Sequence, residues 1–125
     1  MHSEAKASRP AVLVVEDEAL LLFSIADELK DAGFAVFEAV NADQAIVTLS
    51  AHPEIGVLFT DIDMPGSMDG LRLSGFVRDR WPPVKIIITS GKAAPTENML
   101  PVGGIFLPKP YSPASVAGAI ESLLA

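Results

Sequence analysis

The chain has 125 residues, half of them apolar, with 16 acidic and 9 basic side chains and a formal charge of −7. That length accommodates one domain with a well-filled core, and no apolar run is long enough to cross a bilayer. The acidity argues against a nucleic-acid surface, which needs cations to displace counterions; the absence of cysteine excludes disulfides, thiol catalysis and thiolate metal sites, and fits a cytoplasmic location.

Residues 1–10 are polar, mixed in charge and lack the apolar stretch of a secretory signal, so they read as a flexible N-terminal tail ahead of a domain over 11–125. Ala11–Val15 (AVLVV) is an apolar run of strand length that ends abruptly in Glu16-Asp17-Glu18. Leu22, Ile25, Ala26 and Leu29 then recur at helical spacing, with Gly33 as terminator. The row Leu20–Phe23 is more apolar than one buried face requires; extra core packing is the first account of it, and a partner or dimer contact the second. Ala35–Val40 reads as a second strand. Asn41-Ala-Asp-Gln44 reads as a capping box opening a helix to about Ala51, stopped by His52-Pro53.

Ile55–Thr60 (IGVLFT) is a third apolar strand ending at Asp61. A loop with Pro65, Gly66 and Gly70 leads to a helix whose core face carries Leu71, Phe76 and Val77, closed by Trp81-Pro82-Pro83. Val84–Thr89 (VKIIIT) is the fourth strand. In Ser90–Gly103, Pro95 and Pro101 bracket only Thr96–Leu100, so any helix in this fourth crossover is short or irregular. Ile105–Leu107 is a short fifth strand. Ser112-Pro113 supplies an N-cap and a first-turn proline for a last helix with Val116, Ile120 and Leu123 on one face.

Alternating strands and helices imply an α/β domain, a parallel sheet with helices on both faces. Strands covered on both sides read as unbroken apolar runs, as AVLVV, IGVLFT and KIIIT do. Five such units give a doubly wound fold, with ligands expected at the carboxyl ends of the strands. The polar residues that break the apolar runs fall at those ends: Glu16 and Asp17 after the first, Asp61 after the third, Thr89 on the fourth and Lys109 after the fifth. Three carboxylates gathered there repel one another unless a cation sits among them. Oxygen ligands of this kind suit Mg²⁺, which would also neutralise the charge on an incoming phosphoryl group. Lys109 and Thr89 complete a cradle for phosphoryl oxygens, and an aspartate in it can act as a nucleophile. His2 and His52 read as surface residues.

Four segments, VLVVEDE, LFTDIDMPGSMDG, IIITSGK and FLPKPY, stand in order at the strand ends. Together they make the chain, from about Ala11 to Leu124, resemble the receiver domains of response regulators in two-component signalling systems. The resemblance implies a (βα)5 flavodoxin-like fold with strand order 2-1-3-4-5. It implies that Asp61 is the phosphoacceptor, that Glu16 and Asp17 bind Mg²⁺ directly or through water, and that the backbone carbonyl of Asp63 ligates the metal. It matches Thr89 to the switch hydroxyl, Lys109 to the family's lysine with a cis peptide to Pro110, and Phe106 to a switch aromatic. It implies phosphorylation by a sensor histidine kinase or phosphotransfer protein, slow self-dephosphorylation rather than multiple turnover, and a response in the face made by the fourth crossover, fifth strand and last helix. A downstream protein target or a homodimer is the implied output, without direct nucleic-acid contact or membrane insertion.

Departures from the pattern are the missing hydroxyl at Phe106, a loop Met64–Gly70 one residue longer than the commonest form, and the Asp63 side chain. That fourth carboxylate reads as an exposed loop acid, as a holder of the hydrolytic water, or as a charge that weakens anion binding. Three rival readings fit the residues less well. Asp61-Ile-Asp63 with Gly66 suggests an EF-hand loop, but Pro65 and Arg72 stand where that loop needs oxygen ligands. The same triplet suggests a haloacid-dehalogenase-type phosphohydrolase, but that motif follows a first strand, not a third. A docking pseudo-receiver would not need the whole cradle. Since the sequence stops at the last helix, it reads equally as a single-domain regulator or as a receiver cut from a larger protein.

Overall fold

The computed structural model describes residues 9–64, 66–91 and 99–125. Pro65, most of the segment 1–10 and residues 92–98, where the short fourth-crossover helix is expected, lie outside them. The elements in chain order are β1 (Ala11–Val15), α1 (Ala19–Asp31), β2 (Val36–Ala39), α2 (Ala42–Ala51), β3 (Ile55–Asp61), α3 (Gly70–Arg80), β4 (Lys85–Ser90), β5 (Ile105–Pro108) and α4 (Pro113–Leu124). All pairings are parallel and the strand order is 2-1-3-4-5, the doubly wound arrangement expected from the sequence.

Alternation of side chains along each strand divides the core into two layers. Ala11, Leu13, Val15, Leu58, Ile86 and Ile88 face α2 and α3, meeting Ala45, Leu49, Leu73 and Val77. Val12, Val14, Val57, Phe59 and Ile87 face α1 and α4, meeting Leu22, Ile25, Leu29, Val116 and Ile120. Every residue of β1 is buried, which is why that strand carries no polar side chain.

The helix boundaries follow local chemistry. Asn41 caps α2 by accepting from the Gln44 N–H at 2.8 Å. The reciprocal bond of the expected capping box lands one residue early, with Gln44 Oε1 accepting from the Val40 N–H. At α4, Ser112 and Ser115 make a full capping box, and Pro113 occupies the first turn. Gly33, at φ 95°, follows the C-cap of α1 in the left-handed region. The described chain begins at Arg9, whose guanidinium lies 3.7 Å from the Phe34 ring centroid and 2.8 Å from Glu121.

Two sequence expectations are corrected. The buried stripe of α3 is Gly70, Leu73, Ser74 and Val77, whereas Leu71 and Phe76 are only half-buried; Phe76 packs near Trp81 instead. In α1, Leu22 is in the core, but Leu20 is 81% and Phe23 67% exposed, so extra core packing does not explain that row. Successive helical residues are turned by 100°, and four in a row cannot share one face. Strand limits differ from expectation by a residue or two: β2 and β4 each begin one later, and β5 extends to Pro108.

Candidate functional site

Register brings the strand ends to one rim. Asp61 is the direct partner of Thr89 across β3–β4, and Val15, at the end of β1, pairs with Thr60. Backbone bonds continue beyond the strands: Ile62 N–H donates to Thr89 O at 2.8 Å, Lys109 N–H to Ser90 O at 3.1 Å and Glu16 N–H to Ala39 O at 3.0 Å. The loops carrying Glu16, Asp61 and Lys109 are thus fixed by the sheet itself.

Asp61 is 2% exposed and both its oxygens are engaged. Oδ2 accepts from Lys109 Nζ at 2.9 Å, and Oδ1 accepts from the Asp63 N–H at 3.1 Å. Glu16 is 1% exposed; its Oε2 accepts from the Glu18 N–H at 3.0 Å, while Oε1 has no hydrogen-bond partner and lies 3.8 Å from Lys109 Nζ. Burial, together with the charges of Asp61 and Asp17, raises the Glu16 pKa to about 7 against the opposing pull of the Glu18 N–H and Lys109. For Lys109, burial works against the charge, but the hydrogen bond and charge of Asp61, with Glu16 and Glu18, outweigh it and leave the ammonium above its ordinary pKa.

Glu16, Asp17 and Asp61 each present an oxygen within 4.8 Å of the others, the one such acidic group of three among the described residues. One lysine does not balance three carboxylates, and Glu16 Oε1 is buried without a donor. A hard divalent cation satisfies both deficits, and oxygen ligands of mixed exposure leave it room for water. The donor set therefore fits Mg²⁺.

Of the other residues singled out in the sequence, Thr89, Asp63 and Lys109 adjoin this group. Thr89 is fully buried and its Oγ1 has no partner. The Lys109–Pro110 peptide is cis. Phe106, on β5, is half-buried and packs against the α2–α3 layer. The Asp63 side chain is half-buried rather than an exposed loop acid, and its Oδ2 accepts from Ser90 Oγ at 2.8 Å. His52 is remote, at the C-terminus of α2 and stacked on Phe37 at 4.3 Å.

Two neighbours escaped the sequence reading. Ser90 ties the β3 loop to the end of β4 through Asp63; nothing in the sequence signals a contact between residues that far apart. Gly70 begins α3 against the Asp61 loop: a Cβ there would lie 2.0 Å from Asp61 O and 2.8 Å from Ile62 Cα. The Asp69-Gly70 pair ahead of a helical pattern was its only trace.

Comparison with known proteins supplies the family. The sequence profile of the response regulator receiver domain matches residues 12–121. An NtrX-like response regulator of Rickettsia felis is 40% identical over 81 residues, covering 64% of this chain. The chain spans only 17% of that relative's length. A response regulator receiver protein from Sinorhizobium medicae superposes with a TM-score of 0.84 at 31% identity, covering 92% of this chain and 94% of that one. The response regulator TrrA of Thermotoga maritima, solved in complex with Mg²⁺-BeF, shares the fold with a TM-score of 0.80 at 22% identity, covering 91% of this chain and 98% of that one. The chain belongs to the response regulator receiver domain family of two-component signalling systems.

Proposed function

We propose that Asp61 accepts a phosphoryl group from a phosphohistidine on a partner histidine kinase or phosphotransfer protein, with Mg²⁺ held by Glu16, Asp17, Asp61 and the backbone carbonyl of Asp63. The observation that carries this reading is the convergence of three carboxylates, one ammonium and one unpartnered hydroxyl on a single rim. Bound there, Mg²⁺ supplies neutralising charge and polarises the phosphoryl oxygens. The Asp61 carboxylate attacks phosphorus, the donor nitrogen departs with the electron pair, and an aspartyl phosphate results. Lys109, already paired with Asp61, neutralises a phosphoryl oxygen. Thr89 Oγ1 donates to another, which satisfies a hydroxyl that is otherwise buried at a cost of roughly 1–3 kcal/mol.

That new bond draws the end of β4 inward and lets Phe106 follow, biasing a two-state equilibrium in the face of the fourth crossover, β5 and α4. The exposed Leu20 and Phe23, at the start of α1 beside the rim, provide apolar contact for the donor protein or for a second copy of the chain. The receiver spans residues 11–125 and works in the cytoplasm. Among the described residues, no helix is long and apolar enough to cross a membrane. It is a phosphoryl acceptor that loses its label slowly to water, not a multiple-turnover enzyme.

Phosphoryl labelling with a small-molecule donor and Mg²⁺ tests this. Wild type is expected to take one phosphoryl group per chain by intact mass, and Asp61→Asn none; stable labelling of Asp61→Asn would refute the assignment. Thr89→Ala is expected to accept the label yet show a much smaller change in the amide spectra of β5 and α4. An undiminished response would remove Thr89 from the switch.

A further inference from the structure

Asp63 brings a fourth carboxylate to the rim, yet it stands apart from the other three. Its own N–H donates to Asp61 Oδ1 at 3.1 Å, so its backbone touches the acidic group directly. Among the described residues, however, the oxygens that lie within 4.8 Å of one another come from Glu16, Asp17 and Asp61. The Asp63 side chain turns instead to β4, where Oδ2 accepts from Ser90 Oγ at 2.8 Å. Both ends of this bond are held by the sheet. Ser90 is 3% exposed, ends β4 and accepts from the Lys109 N–H at 3.1 Å through its carbonyl. On the other side, the Ile62 N–H donates to Thr89 O at 2.8 Å and keeps the loop after β3 against β4. The phosphoryl chemistry above makes no use of the Ser90 hydroxyl.

We propose that Ser90 is a positioning residue for the metal centre: its hydroxyl holds the Asp63 carboxylate out of the ion's ligand set, and so favours Mg²⁺ over Ca²⁺. The inference rests on the proposed function and states how that same site selects its ion. Mg²⁺ takes few carboxylates, keeps several waters and demands a strict octahedron. Ca²⁺ accepts more oxygens in looser geometry and gains from each added carboxylate. Three carboxylates therefore suit the smaller ion, and a fourth would recruit the larger. A fourth would also put negative charge where the phosphoryl group must enter, and would compete with its oxygen for the cation. Because the Asp63 backbone already touches Asp61, rotation about the Cα–Cβ bond is enough to bring its carboxylate toward the group. A neutral hydroxyl suits the task of preventing this: it gives the carboxylate a charge-assisted hydrogen bond and adds no charge of its own to the rim.

Ser90→Ala removes the donor and leaves a side chain that fits the same space. The measurement is calorimetric: the affinities of the full chain for Ca²⁺ and for Mg²⁺, without any phosphoryl donor, taken as a ratio in each protein. A ratio within one protein does not depend on how much of it is folded. In Ser90→Ala the Ca²⁺ to Mg²⁺ ratio is expected to rise about tenfold, the scale on which a partner that orients a metal ligand changes metal affinity. Asp63→Ala and the double variant Ser90→Ala/Asp63→Ala are expected to share one ratio within about twofold, since neither has a carboxylate for the hydroxyl to hold back. A general loosening of the rim would instead move the ratio in both backgrounds. A Ser90→Ala ratio within about twofold of wild type, or a rise that persists undiminished when Asp63 is alanine, would overturn the inference and leave the proposed function standing. No binding of Mg²⁺ to wild type would overturn both.

Discussion

Gly70→Ala is expected to destabilise the domain by about 3 kcal/mol and to reduce Asp61 labelling further than the loss of folded protein explains. The added methyl would sit 2.0 Å from Asp61 O, 2.7 Å from Asp61 C and 2.8 Å from Ile62 Cα. All three are backbone atoms, so no side chain can swing aside. The two elements are also bonded there, Gly70 N–H to Ile62 O at 3.0 Å. Helix propensity favours alanine over glycine by about 1 kcal/mol, which offsets only part of the clash. Relief requires α3 to move away from β3 or the Asp61 loop to shift, and either change alters the spacing of the carboxylates. Urea midpoints and labelling rates measure the two effects. An alanine variant with an unchanged midpoint would show that the helix start does not fix the position of Asp61.

A second large effect is expected from Glu16→Gln, and it reverses with Mg²⁺. Glu16 has a pKa of about 7 in the fold against 4.5 when unperturbed, because burial and then the Asp61 charge disfavour its ionised form. A carboxyl group raised in this way stabilises the fold fully below its unfolded value, and that contribution is lost as pH rises through about 7. With chelator present, wild type should therefore lose stability between pH 5 and 8, by at most about 3 kcal/mol. Glu16→Gln has no charge to bury and should lack that decline. Mg²⁺ at pH 8 should restore wild type by binding the folded state, while the variant gains little. Thermal unfolding at two pH values, with and without Mg²⁺, gives all four quantities. Parallel pH profiles for the two proteins would mean that Glu16 is not the group under strain.

Much of the site was legible because its residues interrupt apolar runs. A strand buried on both faces tolerates few polar side chains, so Glu16 and Asp61 mark where β1 and β3 leave the core; Lys109 instead follows the edge strand β5, none of whose residues is buried. In a parallel sheet those ends share an edge, and the pairing of Asp61 with Thr89 shows how closely the register aligns them. What escaped depends on helix phase and on loop contacts. The stripe of α3 is rotated from the expected one because Gly70 and Ser74, small residues that carry no apolar signal, take buried positions. Leu20 and Phe23 read as core from composition, yet only geometry shows which of four consecutive apolar residues face outward. The bond from Ser90 to Asp63 joins the end of β4 to the loop after β3, positions that no periodicity connects.

The most direct test is a crystal structure grown with Mg²⁺ and beryllofluoride, a mimic of the phosphoryl group. The expected density places one ion among Glu16, Asp17 and Asp61, the mimic on an Asp61 oxygen, and Lys109 and Thr89 within hydrogen-bond distance of its fluorines. An ion bound elsewhere, or a mimic held away from Asp61, would contradict the account.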